Sequence, residues 1–151
     1  NGFFHLPPAG PTAGQFELLF RLDELDIDPP GSREPLGPAF ASTLSQEMID
    51  GTRDHMLGED NLEADKYPYV RVRSLAIAGE SPRFAARIEV ELHGQKREQW
   101  VPLQVEGLPG ALTVKGAFVL RQTDFGAKPY DVLGLIAVKD EVTIEFSLVG
   151  R

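Results

Sequence analysis

The 151-residue chain contains no cysteine. That absence excludes thiolate nucleophiles, iron–sulfur clusters and zinc sites with cysteine ligands, and it leaves the redox state of the compartment open. Histidine is also scarce, with three widely spaced residues at His5, His55 and His93. Because a zinc site needs three or four protein ligands, the sequence predicts no metal site.

Positive charge is in short supply as well. The chain has 15 Lys and Arg against 23 Asp and Glu, which gives a formal net charge of −8 and a pI of about 4.8. Binding to nucleic-acid phosphates requires clustered positive charge, so a nucleic-acid partner is not expected. An anionic membrane surface would repel the protein for the same reason.

Long apolar runs are missing too. No segment approaches the ~20 apolar residues that a membrane-spanning helix needs, so no transmembrane segment is expected. The chain begins at Asn1, and its first residues lack the basic and apolar regions of a signal peptide. We therefore expect a processed chain from which any signal peptide has been removed.

Alternating apolar and polar residues are abundant. In residues 15–22, QFELLFRL, the side chains of Phe16, Leu18 and Phe20 share one face, and residues 84–93, FAARIEVELH, repeat the pattern. A period of two is typical of half-buried strands. Further strands are predicted at residues 69–77, 99–105, 112–120, 133–138 and 142–149. The short connections predict one all-β domain over residues 1–151, an antiparallel up-and-down barrel of about eight strands.

One segment interrupts the alternation. Residues 53–68 read RDHMLGEDNLEADKYP and show no period of two. Met48 and Met56 can share a helix face, and Gly58 is a natural helix end. Three candidate N-caps precede them, namely Ser42, Thr43 and Ser45. We expect a short helical insertion around residues 45–62 that forms a lid or a wall of the barrel.

The motifs of common enzymes are absent or incomplete. Asp124, Phe125 and Gly126 match the magnesium-binding triplet of protein kinases, but the other kinase motifs are missing, so a bend after a strand is the simpler interpretation. No GxSxG motif occurs. Arg121 and Asp124 follow an apolar strand, where they form either a structural ion pair or charges aimed at a ligand. The sequence predicts no catalytic residue and no enzyme.

Four blocks of the chain resemble the YceI-like family. The first is TRDHMLGEDNLEADKYPYVRVRS, with Arg-Asp, an acidic and apolar run, and Lys-Tyr-Pro before a strand. ARIEVELHGQKREQWVPLQV is similar to the family's hairpin, in which one strand ends in His-Gly and the next carries Val-Pro-Leu. GAFVLRQTDFG and VKDEVTIEFSLVG are similar to its two C-terminal blocks. The resemblance spans about residues 40–151.

The resemblance implies a lipocalin-like barrel that is exported, hence periplasmic or secreted. It also implies non-catalytic binding, transport or sequestration of a long apolar chain: a polyprenyl compound, an isoprenoid quinone or a fatty-acid derivative. No cofactor is required beyond such a bound quinone or polyprenyl lipid. Strand phase then selects the pocket residues, which are Phe20, Met48, Met56, Ile88, Val90, Trp100, Phe118, Phe125 and Phe146. Head-group or rim candidates are Arg121, Asp124 and His55.

Residues 1–14 depart from the family pattern, because they are too short for the expected first strand. A barrel without that strand would expose an edge, through which two copies could form a homodimer. Two alternative functions stay open. One is a quinone- or haem-linked redox accessory or enzyme, for which His55 is the candidate proton donor or ligand. The other is a structural interaction barrel whose core is filled by its own side chains.

Overall fold

A computed structural model describes residues 2–107, 112–132 and 136–150. Seven antiparallel strands form one sheet in the order β1-β2-β3-β4-β5-β6-β9, and β7 and β8 form a separate two-stranded hairpin. The strands are β1 Gly2–His5, β2 Gln15–Arg21, β3 Tyr69–Glu80, β4 Arg83–Leu92, β5 Gln95–Glu106, β6 Leu112–Arg121, β7 Asp131–Val132, β8 Ile136–Ala137 and β9 Glu141–Gly150.

The sheet curls into a half-barrel of lipocalin-like fold, which confirms the predicted fold class. Period-two patterning explains the curl, because one face of each strand is apolar and turns inward. Along β4 the buried side chains are those of Phe84, Ala86, Ile88, Val90 and Leu92. On β5 they are Val101, Leu103 and Val105. Together these side chains form most of the core on the concave face.

The described residues begin with a short strand, β1, and the expectation that the family's longer first strand is missing stays a prediction. β1 pairs with β2 from Gly2 opposite Leu18 to His5 opposite Gln15. β1 is nevertheless short, and β2 continues past the ladder to Arg21. The predicted strand at residues 133–138 lies partly outside the described residues.

The helical insertion is confirmed as α1, Gln46–Leu57. Of the candidate N-caps, Ser45 fills the position, since its side-chain oxygen accepts a hydrogen bond from the Met48 N–H at 3.3 Å. Gly58 follows the last helical residue, as predicted. The chain then makes tight turns to Pro68, whose carbonyl accepts the Leu22 N–H at 2.9 Å.

One end of the half-barrel is packed shut, and we call it the closed end. Leu22 and Phe125 are each 2% exposed there, with Leu57 and Leu62 packed against the same cluster. The buried amide of Asn61 donates to the Lys128 carbonyl at 2.9 Å. This end therefore joins the turns after β2, α1 and β6 into one plug.

Candidate functional site

A cavity of about 380 Å³ lies on the concave face toward the other end of the half-barrel. Its walls come from β1 and β2 on one side and from the facing parts of β3, β4, β5, β6 and β9. Most of the lining side chains are apolar: Phe3, Phe4, Leu6, Phe16, Leu18, Phe20, Ile77, Phe84, Leu103, Val105, Leu112, Val114, Phe146, Leu148 and Val149.

The cavity carries almost no polar chemistry. Among the described lining residues none is Asp, Glu, Lys or Arg, and the polar side chains are those of His5 and Gln15. A charge placed inside would lose its water without gaining a charged partner, which is costly. The site is therefore suited to an uncharged, apolar ligand or to the apolar part of an amphiphile.

The lining residues come from distant parts of the chain, and alternation along each strand turns their side chains toward the cavity. Phe16, Leu18 and Phe20 alternate along β2 and turn inward. Phe146 and Leu148 do the same on β9. Phe20 is 42% exposed on the cavity wall. Inward aromatic rings that are accessible from solvent are suited to contact with an apolar ligand.

Two of the nine predicted pocket residues, Phe20 and Phe146, line the cavity. Phe118 lies beside Phe146, with 6.4 Å between the two ring centroids. Whether these rings touch a ligand stays a prediction. Three others are buried in the protein's own core and do not line the cavity: Ile88, Val90 and Phe125.

Trp100 and the two methionines lie outside the lining of this cavity. Trp100 is 55% exposed and lies on the outer face of β5, because Val101, one residue later, has the buried phase. Met48 is 57% exposed. None of the described residues of α1, Met56 included, lines the cavity, so the helix is not its lid or wall.

The helix instead holds the proline-rich loop that follows β2. Arg53 on α1 donates to the Leu25 carbonyl at 2.6 Å and to the Asp23 carbonyl. Within the loop, Arg33 pairs with Asp28 at 2.7 Å. A second, more polar space of about 990 Å³ separates this loop from the helix. The interrupting segment thus organises a loop and helps to close the end opposite the cavity.

The three rim candidates belong to the closed end rather than to the cavity. Arg121 pairs with Glu141 at 3.3 Å instead of Asp124, and both side chains of the pair are exposed. Asp124 lies in the short turn of 3₁₀ helix after β6. The His55 ring packs edge-on against Tyr130, with 4.4 Å between ring centroids. None of the three is a cavity-lining residue.

Sequence reasoning missed a polar contact at His93, in the turn between β4 and β5. Its Nδ1 lies 2.8 Å from the Phe125 carbonyl oxygen, and its Nε2 lies 3.4 Å from a Glu63 carboxylate oxygen. The Tyr67 ring packs edge-on against it. The His-Gly pair was the available signal, because both residues have positive φ in the turn between β4 and β5. His93 anchors Phe125, the central apolar side chain of the closed end.

Comparison with known proteins agrees with this architecture. The model of the YceI-like domain matches residues 6–150. The crystal structure of BcnA from Burkholderia cenocepacia is similar with a TM-score of 0.76 and 19% identity, covering 100% of this chain and 83% of BcnA. The YCEI protein of Campylobacter jejuni is similar with a TM-score of 0.65 and 11% identity, covering 99% of this chain and 79% of the other. No curated protein sequence matches the chain.

The structural matches are too distant in sequence to show more than a shared fold, whereas the family model covers nearly the whole chain. No helix within the described residues is long and apolar enough to cross a membrane. YceI-like proteins commonly have a barrel fold that binds lipids or polyisoprenoids. The chain belongs to the YceI-like family.

Proposed function

We propose that the protein binds, transports or sequesters a long-chain apolar lipid, without catalysis, in the cavity between β1, β2 and β9. The observation that carries this proposal is the cavity of about 380 Å³ whose described lining is apolar and contains no charged side chain. Family membership supports the ligand class, which comprises polyprenyl compounds, isoprenoid quinones and fatty-acid derivatives.

Burial of the ligand's apolar chain provides enough free energy for binding without any specific polar interaction. Each buried CH₂ group contributes about 0.8 kcal/mol, so ten of them contribute about 8 kcal/mol before the cost of ordering the ligand. Both polar side chains of the lining, His5 and Gln15, lie at the ends of β1 and β2. A small uncharged polar group of the ligand can hydrogen-bond there.

The two alternatives have less support. A redox accessory would need a proton donor or metal ligand facing the bound molecule, and His55 packs on Tyr130 outside the cavity lining. A barrel filled by its own side chains describes the closed end, where Leu22 and Phe125 are buried. It does not describe the other end, where inward-facing Phe20 remains 42% exposed.

The proposal extends to location and assembly. An exported, periplasmic location is proposed because YceI-like proteins are periplasmic in bacteria. The two outer strands of the described sheet, β1 and β9, each have an edge that a second copy could pair with. Sedimentation with and without ligand tests this dimer.

Native mass spectrometry of protein purified without detergent tests the function directly. We expect a stoichiometric adduct that organic extraction identifies as a long-chain or isoprenoid lipid. Apo protein is then titrated with ubiquinone and with a polyprenol. A clean apo mass together with no binding of either compound would favour the filled barrel instead.

A further inference from the structure

Four residues form a row across the concave face of the sheet. Phe84 on β4 lies opposite Leu103 on β5, which lies opposite Gly116 on β6. Gly116 in turn lies opposite Phe146 on β9. We call these four residues the row. Because residues directly opposite each other on neighbouring strands share one face of a sheet, all four positions are directed toward the concave side.

On these four strands the cavity ends at the row. The three row residues that have side chains all line the cavity. None of the next inward positions toward the closed end belongs to the lining, and on β4 and β5 these positions are fully buried. They are Ala86, Val101, Phe118 and Ile144. The row is therefore the boundary between the cavity and the core of the closed end.

The row also marks the place where β5 and β6 part. Within the described residues, the last pair of their ladder toward the closed end is Leu103 opposite Gly116. Both strands continue beyond this pair, β5 as far as Gln95 and β6 as far as Arg121, without further pairing to each other. Since no ladder joins the two strands below the row, the boundary of the cavity depends there on side chains.

The ring of Phe146 covers the point at which the two strands part. It lies over Gly116, where a Cβ atom would stand 2.5 Å from the Phe146 Cζ atom and 2.9 Å from the Pro102 carbonyl oxygen. Nonbonded carbon atoms keep about 3.5 Å or more between them, so only glycine allows the ring to lie this close to β6. The ring of Phe118, one inward position farther along β6, packs beside it.

We propose that the Phe146 ring, seated on Gly116, is the stop that limits how far an apolar chain penetrates the cavity, so that this pair sets the length of chain that is bound. This inference rests on the proposed function and adds its specificity-determining residues. Burial strengthens binding only through groups that leave water. Each CH₂ group that fits in front of the ring therefore raises the affinity, whereas groups that the ring keeps out stay in solvent and add nothing.

A series of saturated primary alcohols from octanol to hexadecanol tests the stop. Displacement of N-phenyl-1-naphthylamine, a neutral apolar fluorophore, gives the dissociation constant of each alcohol. For the wild type we expect this constant to fall about fourfold with each added CH₂ group and to become independent of length once the chain reaches the row.

Two variants should move the chain length at which the affinity stops rising, in opposite directions. Phe146→Ala removes the ring and leaves a space behind it, so the affinity should keep rising for at least about two more CH₂ groups. Gly116→Ala should end the rise at a shorter chain, because the new methyl group displaces the Phe146 ring into the cavity. Phe146→Leu, a smaller truncation, should act in the same direction as Phe146→Ala and replaces it if that variant does not fold.

Ile88→Ala is the matched control for loss of packing. Ile88 is 2% exposed on β4 and does not line the cavity, so its truncation should destabilise the fold and leave the limiting chain length as in the wild type. Thermal unfolding verifies that each variant is folded.

Three outcomes would overturn the stop and leave the proposed function standing. They are an unchanged limiting length in a folded Phe146 variant, an equal shift in Ile88→Ala, and a wild-type affinity that still rises at hexadecanol. Failure of the wild type to bind the fluorophore, the alcohols or any lipid would overturn the proposed function, and the stop with it.

Discussion

On β9, two adjacent residues lie on opposite faces of the sheet, one toward the cavity and one toward the solvent. Leu148 lines the cavity, while Ser147 points outward and is exposed. The backbone environment of the two positions is nearly the same, because both belong to the regular ladder with β6. The same substitution at each of the two residues therefore tests the inward and the outward face at nearly the same position along the strand.

We expect Leu148→Glu to abolish lipid binding. The new carboxylate would stand in a cavity whose described lining has no cation, so a bound chain would strip its water without compensation. Ser147→Glu, on the outer face, should bind as the wild type does. Lipid titration monitored by fluorescence of a bound probe measures both, with thermal unfolding as the check that each variant is folded. Equal loss in the two variants would contradict the cavity as the binding site.

At the scale of elements, α1 owes its start to one side chain. Ser45 caps the helix by accepting the Met48 N–H, whereas Ser42, another candidate from the sequence, has only its carbonyl engaged, with Arg33. An N-cap hydroxyl contributes about 1 kcal/mol to a helix. The position at which the loop enters the helix therefore decides which candidate serine becomes the N-cap.

Ser45→Ala should destabilise α1 locally by about 1 kcal/mol. The expected result is faster amide hydrogen exchange in residues 46–57 with little change in the sheet, because α1 contributes no described residue to the cavity lining. Ser42→Ala serves as the control and should leave exchange in the helix unchanged. Protection lost equally in the two variants would argue against Ser45 as the cap.

The closed end is the second element-scale feature that can be tested. Asn61 is 6% exposed, and its amide nitrogen lies 2.9 Å from the Lys128 carbonyl and 3.3 Å from the Gln122 side-chain oxygen. Its neighbour Asp60 is exposed and only loosely paired with Lys128, at 3.7 Å. We therefore expect the buried Asn61 to contribute more to the free energy of unfolding than the exposed, charged Asp60.

Asn61→Ala should lower the free energy of unfolding by about 1–3 kcal/mol, because the hydrogen bonds that its buried amide donates to the Lys128 carbonyl and the Gln122 side chain are lost. Asp60→Ala should lower it by less than about 1 kcal/mol, as for other exposed ion pairs. Urea unfolding measures both. A larger loss in Asp60→Ala than in Asn61→Ala would contradict the role assigned to the buried amide.

At the scale of the whole molecule, charge is distributed over the outer face of the sheet. Glu89 on β4 lies 2.9 Å from Arg73 on β3 and 3.5 Å from Lys96 on β5, so one carboxylate links three strands. The hydrogen bond from Arg73 lowers the pKa of Glu89 below its ordinary value of 4.5; the positive charges of Arg73 and Lys96 act in the same direction and burial opposes them. The hydroxyl and backbone N–H of Thr123 likewise lower the pKa of Asp140.

These shifts predict destabilisation in acid. A carboxyl group whose folded-state pKa is lowered contributes its stabilisation above the ordinary value, and that contribution is lost as the pH falls through 4.5 toward the folded-state pKa. Glu89→Gln should therefore show a smaller loss of stability between about pH 7 and about pH 4 than the wild type. Glu98→Gln, which removes an exposed partner 3.8 Å from Arg87, is the control. Urea unfolding at the two pH values measures the loss of stability of each variant and of the wild type. An equal loss in Glu89→Gln and the wild type would exclude Glu89 as a source of the acid destabilisation.

Much of the fold could be read from the sequence because strands with one buried face alternate locally. The inward phase of Phe84 to Leu92 on β4, the helix after Ser45 and its end at Gly58 all rest on interactions within a few residues. Trp100 lies on the outer face because Val101, Leu103 and Val105 keep the inward phase of β5; the prediction gave its large aromatic side chain more weight than the phase of those neighbours. The part of the cavity wall on β1 was overlooked because four residues are too few to show a period.

The sequence by itself determined the class of the protein: an all-β, acidic, cysteine-free chain of the YceI-like family with one helix at a known place. Only the tertiary structure decided where the cavity lies and which side chains line it. Strand curvature and register bring Phe4 onto Gly150 across 146 positions of sequence, and they turn α1 away to the closed end. Such contacts depend on how the whole sheet closes, and no local pattern of side chains encodes that closure.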